Sequence, residues 1–378
     1  MTRLAPPARA ALTRPTLLPG LARLWRDRHT LQLGVEPGRA VLLEVADPRA
    51  ARLLDLLDGT RSERGVLTEA DVPADDARVL LDALHAAGLV VPAHTLLPRD
   101  LAGPVRARLA GEAGALALDA AGLPGTPAQV LRRRRSARVL VTGAGRLGGP
   151  IAVALAQAGV GQVDPDLAGP VRPGDLVGTG LSAADVGRPL AAALREVLGG
   201  TAPGTDTRPL RHGRVDLVVH LGTDRPAALI AARHARRRQP HLLVGLRGGV
   251  PVVGPLVRPP VGPCLNCLDL HRIDRDPDWP ALAAQLAAVD PADQAAAATT
   301  LLAAGAYAAA EALAHLDGGS PETLGSAVEV GAAGRHRRRS WPPHPSCGCS
   351  GERRPRVSVN RYPPRSSSRP PESVTMAE

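Results

Sequence analysis

Four cysteines, all in the last third of the 378-residue chain, fall into two close pairs: Cys264-Leu265-Asn266-Cys267 and Cys347-Gly348-Cys349. Both spacings let two sulfurs turn toward one centre, and four thiolates complete the tetrahedral shell of a structural zinc ion. Late, closely paired thiols suit metal ligation in a reducing compartment better than a disulfide framework; redox chemistry and unligated core cysteines are the alternatives. If all four bind metal, no thiol is left as a nucleophile, and thioester or persulfide intermediates on this chain are excluded. His344 lies beside the second pair, where it reads as a polar surface or core residue, as a support to the ligands or as an alternative ligand.

A second constellation is Gly143-Ala144-Gly145-Arg146-Leu147-Gly148. In such a loop the first glycine permits a tight turn out of a strand, the second lets backbone approach a phosphate, and the third lets helix pack on strand. The helix N-terminus that follows offers free N–H groups and partial positive charge to an anion. About 20 positions on, an acidic residue should meet a ribose hydroxyl. Asp164 and Asp166 stand there. The run Gly161-Gln162-Val163 is very short for the strand that should carry them, which leaves open which of the two makes the contact.

The elements that must position these groups are legible from residue 137 onward. Arg138–Val141 is a short apolar run of the buried parallel-strand type, followed by the glycine loop and an amphipathic helix over Pro150–Ala158. Val215–Leu221 and His241–Leu246 read as further strands, with helical stretches at Ala183–Leu198 and Pro226–Arg237 between them. This alternation predicts an α/β, Rossmann-like doubly wound sheet. Beyond it, Val250–Val257 reads as a strand or hairpin, Pro291–Leu316 as a long Ala-rich helix, and Ser326–Val330 and His336–Trp341 as strands. That path can bring the cysteine pairs together and make the C-terminal extension zinc-stapled, so loss of metal should unfold it.

Upstream, Leu31–Leu33 and Ala40–Val45 predict a hairpin around Glu36-Pro37-Gly38. A helix follows at Asp47–Leu57, with Asp47 as cap and Pro48 at its first position, then a helix at Ala74–Ala87 and a strand at Leu89–Val91. A hairpin, helices and a closing strand suggest a small winged-helix-like module over residues 1–97, or a generic packing domain. Residues 98–136 read as a connecting region holding at most a helix, 137–350 as the nucleotide-binding domain, and 351–378 as a tail too polar and Pro-rich to order itself.

Composition sets outer limits. Hydrophobic residues make up 44% of the chain, but there is no Phe, with 2 Tyr and 3 Trp, so the core must be Leu, Val and Ala. All 46 basic residues are Arg. Uniform use of Arg, Ala, Gly and Pro reads as coding bias, so the net charge of +10 is discounted as a functional signal. The clusters Arg132–Arg135, Arg236–Arg238 and Arg337–Arg339 come with no nucleic-acid motif or stacking aromatics, and read as solvated faces. No secretory signal or bilayer-spanning run is found, which points to a cytoplasmic protein without membrane contact.

In order along the chain, Val139–Gly149, the acidic residues after the next helix, Val186-Gly187-Arg188-Pro189, the strand Asp216–Leu221 and Gly262-Pro263-Cys264-Leu265-Asn266-Cys267 resemble the ThiF/MoeB/HesA superfamily of ubiquitin-activating-like adenylyltransferases. The resemblance spans Ala137–Cys349. Cys264–Trp279 and Trp341–Cys349 are similar to an actinobacterial branch related to the leader-peptide-binding components of thiazole/oxazole-modified peptide pathways, in which a winged-helix-like peptide-recognition module precedes the Rossmann domain.

That resemblance implies attack of a peptide or carrier-protein carboxylate on MgATP to give an acyl-adenylate, and it implies a homodimer. Gly143, Gly145 and Gly148 would hold phosphate, Asp164 or Asp166 the ribose, and Asp224 the catalytic magnesium. The sequence departs from the family pattern where charge must be stabilised. No Ser-Asn-Leu-x-Arg-Gln stretch follows the second strand, the expected Lys is Leu190, the expected Asp falls at Thr223 or one position late at Asp224, and Arg146 replaces a glycine. Arg is no simple substitute for a compact Lys charge. Two readings follow: an ATP-dependent adenylyltransferase, or a non-catalytic protein that binds a precursor peptide and presents it to a separate modifying enzyme. An NAD-dependent oxidoreductase fits the glycine loop but leaves the cysteines unexplained.

Overall fold

The computed structural model describes residues 11–37, 40–45, 47–119, 124–222, 227–290 and 294–350. The first unit begins with β1 (Pro15–Leu17), β2 (Arg23–Trp25), β3 (Thr30–Leu33) and β4 (Val41–Glu44), of which β2, β3 and β4 form an antiparallel sheet. A 3-10 turn at Pro48–Arg52 runs into α1 (Leu53–Leu56), and the Asp47 side chain caps it by accepting from the Arg49 amide at 2.9 Å. Next come α2 (Glu63–Glu69), α3 (Ala74–Ala86), β5 (Val90–Pro92) and α4 (Ala93–Leu96). Leu31, Leu33, Leu53, Leu54, Val66, Leu81, Leu84 and Val90 form one buried cluster. The hairpin, the helices at 48–56 and 74–86 and the closing strand follow the order read from the sequence; β1, β2, α2 and α4 were not read, and β5 pairs antiparallel with β1.

The region read as a connector holds two helices, α5 (Gly103–Leu118) and α6 (Pro127–Ser136). Thr126 and Gln129 form a reciprocal capping box that starts α6. The buried Arg134 on α6 ion-pairs with Asp317 at 2.7 Å and Glu112 at 2.5 Å, tying α6 to α5 and to the end of a later helix.

A seven-stranded mixed sheet follows. Its strands are β6 (Arg138–Gly143), β7 (Gln162–Leu167), β8 (Leu217–Leu221), β9 (His241–Arg247), β10 (Val250–Val257), β11 (Ser326–Val330) and β12 (His336–Ser340), in the spatial order β12-β11-β10-β9-β8-β6-β7. The β7, β6, β8 and β9 neighbours run parallel, and β10, β11 and β12 continue antiparallel. Strand β7 is full length, contrary to the short strand read from the sequence. Pro165 is accepted within it because β7 is the edge strand, where a missing N–H breaks no ladder.

Both faces of this sheet are covered. Leu242 and Val244 of β9 join the main core with α7 (Gly148–Gln157), α8 (Leu190–Thr201) and α12 (Ala298–Leu316). Leu243, on the opposite face, packs with α9 (Ala227–Arg237) and α10 (Leu265–Ile273). The helix read over Ala183–Leu198 is instead a 3-10 turn at Ala183–Asp185 and then α8, because Pro189 bars a continuous helix. The helix read from Pro291 begins at Ala298, residues 291–293 lying outside those described, and a separate α11 (Trp279–Ala287) precedes it. The tail 351–378 is also outside the described residues.

Candidate functional site

The glycine loop sits where β6 gives way to α7, at the carboxyl ends of the parallel strands. Gly143 has φ of 114°, and a Cβ there would lie 2.5 Å from the Leu221 carbonyl oxygen of β8, so turn and close approach both require glycine. A Cβ on Gly148 would meet Leu221 at 2.4 Å, so its absence lets α7 seat on the sheet. Gly145 also has a positive φ, 133°. The loop and helix N-terminus therefore have the arrangement that receives a phosphate.

Arg146 changes what surrounds this loop. Its Nε donates to the Gly174 carbonyl at 3.2 Å and its Nη1 to the Ala296 carbonyl at 3.4 Å, so the side chain straps across the site. Beneath it, a cavity of about 100 Å³ is lined by Ala144, Gly145, Leu147, Gly245, Leu286 and Val289.

The two acidic candidates have different surroundings. Asp164 is buried; one carboxylate oxygen accepts from Arg195 at 2.9 Å and the other from the Leu210 amide at 2.8 Å. Asp166 is exposed near the carboxyl end of β7, next to Thr142, whose hydroxyl donates to it at 3.2 Å. Of the two, Asp166 is the one exposed at the loop end of β7. Leu190, at the position where the family pattern has Lys, is a buried core residue. Thr223 and Asp224 lie outside the described residues.

Sharing Gly222, Val244, Gly245 and Leu246 with the loop cavity is a larger one of about 1030 Å³. Its walls include Leu243, Val252, Leu265, Leu268 and Leu286, and it is polar at Arg247, Asp269, Arg272, Arg275 and Asp276. The sequence reading singled out none of these polar residues, because they come from β9, α10 and the turn after it and converge only in the fold.

The four cysteines converge. Their sulfurs all lie within 4.8 Å of one another, with Cys264–Cys347 at 3.7 Å, Cys264–Cys267 at 4.0 Å and Cys267–Cys349 at 3.3 Å. Metal–sulfur bonds of about 2.3 Å in a tetrahedron put sulfurs ~3.8 Å apart. The donor set therefore fits a tetrahedral metal, and no pair is joined as a disulfide. Burial, with the Cys267 and Cys347 sulfurs beside it, pushes the Cys264 thiol up to about 11, and burial and Cys267 push Cys349 up as well. Burial also opposes ionisation of Cys347, but hydrogen bonds from the Asn266 amide and the Cys349 backbone outweigh it and bring that thiol down to about 7. Full ionisation of the set needs a cation at its centre.

His344 supports this centre without joining the four sulfurs. Its Nδ1 accepts from the Ser346 amide at 3.1 Å, so its Nε2 carries the proton donated to Asp274 at 2.9 Å. Asp274 follows α10, so the contact anchors the second cysteine pair to the helix that carries the first.

With this geometry in hand, comparison with known proteins is direct. The ThiF family model matches residues 116–350. The chain belongs to the ThiF family. Among solved structures, ThiF-family fold is shared with E. coli MccB bound to ATP, at a TM-score of 0.60, 16% identity and coverage of 89% of this chain and 99% of that one. It is also shared with the microcin C7 biosynthetic enzyme MccB in complex with N-formylated MccA, at 0.59 and 17%, covering 89% and 99%. Selenomethionine PaaA matches at 0.58 and 15%, covering 85% and 98%. At these identities the likeness is one of fold. No curated protein matches the sequence.

Proposed function

We propose that this ThiF-family chain is a non-adenylating peptide-binding protein: it holds a precursor peptide and presents it to a separate modifying enzyme. The observation that carries this reading is the Arg146 strap. It spans the glycine loop to Gly174 and Ala296, above a cavity of about 100 Å³. A ligand site ordinarily offers roughly 300–1,000 Å³, so a nucleotide seated under the strap needs Arg146 to swing away or must extend into the adjoining larger cavity. Leu190, buried in place of the family's Lys, supports the same conclusion, since phosphoryl charge would have no compact cation there.

MccB, a fold relative, is solved in complex with MccA, and the corresponding partner here is a ribosomal precursor peptide. Residues 1–97 serve as its recognition module, winged-helix-like in role; residues 137–350 are the ThiF-like body, joined to it through 98–136, and two chains pair as a homodimer. Zinc occupies the four-cysteine centre and staples the segment after β12 to α10.

A fluorescently labelled precursor peptide, taken from an open reading frame beside the gene, tests this. Binding should have the same Kd, within about two-fold, with and without MgATP. Strict dependence on MgATP contradicts the reading.

One observation favours the adenylating alternative. Gly143, Gly145, the α7 N-terminus and the exposed Asp166 lie together, where a nucleotide's phosphate and ribose would sit. In that case Asp224 would hold magnesium and the strap would open on ATP binding.

A further inference from the structure

The cavity of about 1030 Å³ beside β9 carries an unbalanced charge. Three arginines, Arg247, Arg272 and Arg275, and two aspartates, Asp269 and Asp276, line it. The other charged neighbours cancel, because Arg339 pairs with Glu329 at 2.7 Å. Asp269 is already committed: it accepts from Arg272 at 3.1 Å and from the Trp279 indole at 3.2 Å. Trp279 in turn lies 4.7 Å beneath the Arg272 guanidinium, which fixes that group between a carboxylate and a ring face.

Two guanidinium groups keep unused donors toward this cavity. Nη2 of Arg272 is buried without a hydrogen-bond partner. The Arg247 side chain makes no hydrogen bond or ion pair among the described residues, although it lines the cavity directly. Arg247 is exposed at the end of β9, with Arg272 and Arg339 as its cationic neighbours. A buried N–H without a partner, as at Arg272 Nη2, is costly, and an anion that enters beside Arg247 supplies the missing acceptor. One odd positive charge calls for one negative charge, and a guanidinium fork matches a carboxylate.

We propose that Arg247 and Arg272 form a carboxylate-binding subsite at the end of this cavity away from the glycine loop, taking an extended peptide whose apolar side chains lie against Leu243, Val252, Leu265 and Leu268. The assignment deepens the peptide-binding reading and rests on it. It makes the cavity a second point of peptide contact, separate from the N-terminal module, and it requires no nucleotide. The carboxylate comes from an acidic side chain or from a peptide C-terminus, and the same subsite chemistry serves both.

The test uses short probes on the full-length, zinc-loaded chain, so that its outcome does not depend on whether a precursor binds the N-terminal module. Acetyl-Leu-Leu-Glu-amide is compared with acetyl-Leu-Leu-Gln-amide, and acetyl-Leu-Leu-Leu acid with its amide, by ligand-observed NMR titration. In the wild type the carboxylate member of at least one pair should bind at least ten-fold more tightly; which pair responds tells side chain from C-terminus. In Arg247→Gln that preference should fall to two-fold or less, with the melting temperature unchanged because Arg247 has no partner to lose. Arg247→Lys should restore part of it. The absence of any carboxylate preference, including the absence of binding, overturns the proposal. So does a preference that survives both Arg247→Gln and Arg272→Gln.

Discussion

Two carboxylates two positions apart show how environment, more than identity, decides a residue's task. Asp164 is buried and is spent on Arg195 and the Leu210 amide, whereas Asp166 is exposed beside the glycine loop. The sequence offered both for one role, since at i and i+2 of β7 they share a sheet face and differ only in depth: Asp164 lies opposite Leu140, and Asp166 opposite Thr142 at the loop end. Replacing Asp164 by Ala strands Arg195 and a backbone amide in a largely dry setting, and should cost about 3 kcal/mol. Asp166→Ala should change stability by less than about 0.5 kcal/mol. Urea denaturation of the two variants checks the pair, and equal losses would contradict the assignment. The cysteines are the counter-example: their types and spacing alone specified the site, because four thiols with two short spacings have few other uses.

At the scale of elements, the β6–loop–α7 unit was legible because an apolar run, three glycines and an amphipathic helix each signal locally. The helices α10 and α11 were not read, and residues 98–136 were allowed one helix where α5 and α6 stand. In α5 and α11, Ala and Gly blur the contrast between faces, although the Thr126–Gln129 capping box was available as a signal for α6. A trio of histidines was likewise dispersed in sequence. His220 on β8 and His234 on α9 approach with their Nε2 atoms 2.6 Å apart, and His241 on β9 stacks on His234 with ring centres 4.4 Å apart. Burial, then the neighbouring His241 and His220 and the cations Arg233 and Arg237, lower His234 to about 3; burial lowers His241 to about 4. Below the ordinary value of 6.5 the unfolded chain takes up protons at these positions that the folded chain refuses. Stability is therefore fully present above about pH 6.5 and is lost as pH falls toward 4, by ~1.4 kcal/mol per pH unit for each histidine. Urea midpoints at pH 7.5, 6 and 5 check this. His234→Leu should flatten the slope relative to wild type, and the difference between the two isolates the histidines from any loss of metal in acid.

For the molecule as a whole, the sheet, the segment after β12 and α10 meet at the sulfur cluster, so metal and fold should be linked. The purified chain should carry one zinc per molecule by elemental analysis. Cys267→Ser should lose it and lower the melting temperature, and a strong chelator should do the same to the wild type. A metal-free chain of unchanged stability would contradict the zinc assignment. None of the described helices is long and apolar enough to cross a membrane. The fold class was readable from the alternation of strands and helices. The cavity beside β9 was not, because its arginines and tryptophan are assembled by tertiary structure alone.

The central claim is that a ThiF-family body can keep its nucleotide loop and yet be used for peptide binding. ATP–pyrophosphate exchange measured with the precursor peptide at saturation tests it most directly. The account predicts exchange no greater than in a reaction without protein, under conditions where the peptide is bound. Peptide-dependent exchange that disappears in Asp166→Ala, with peptide binding intact, would contradict it and establish the chain as an adenylating enzyme.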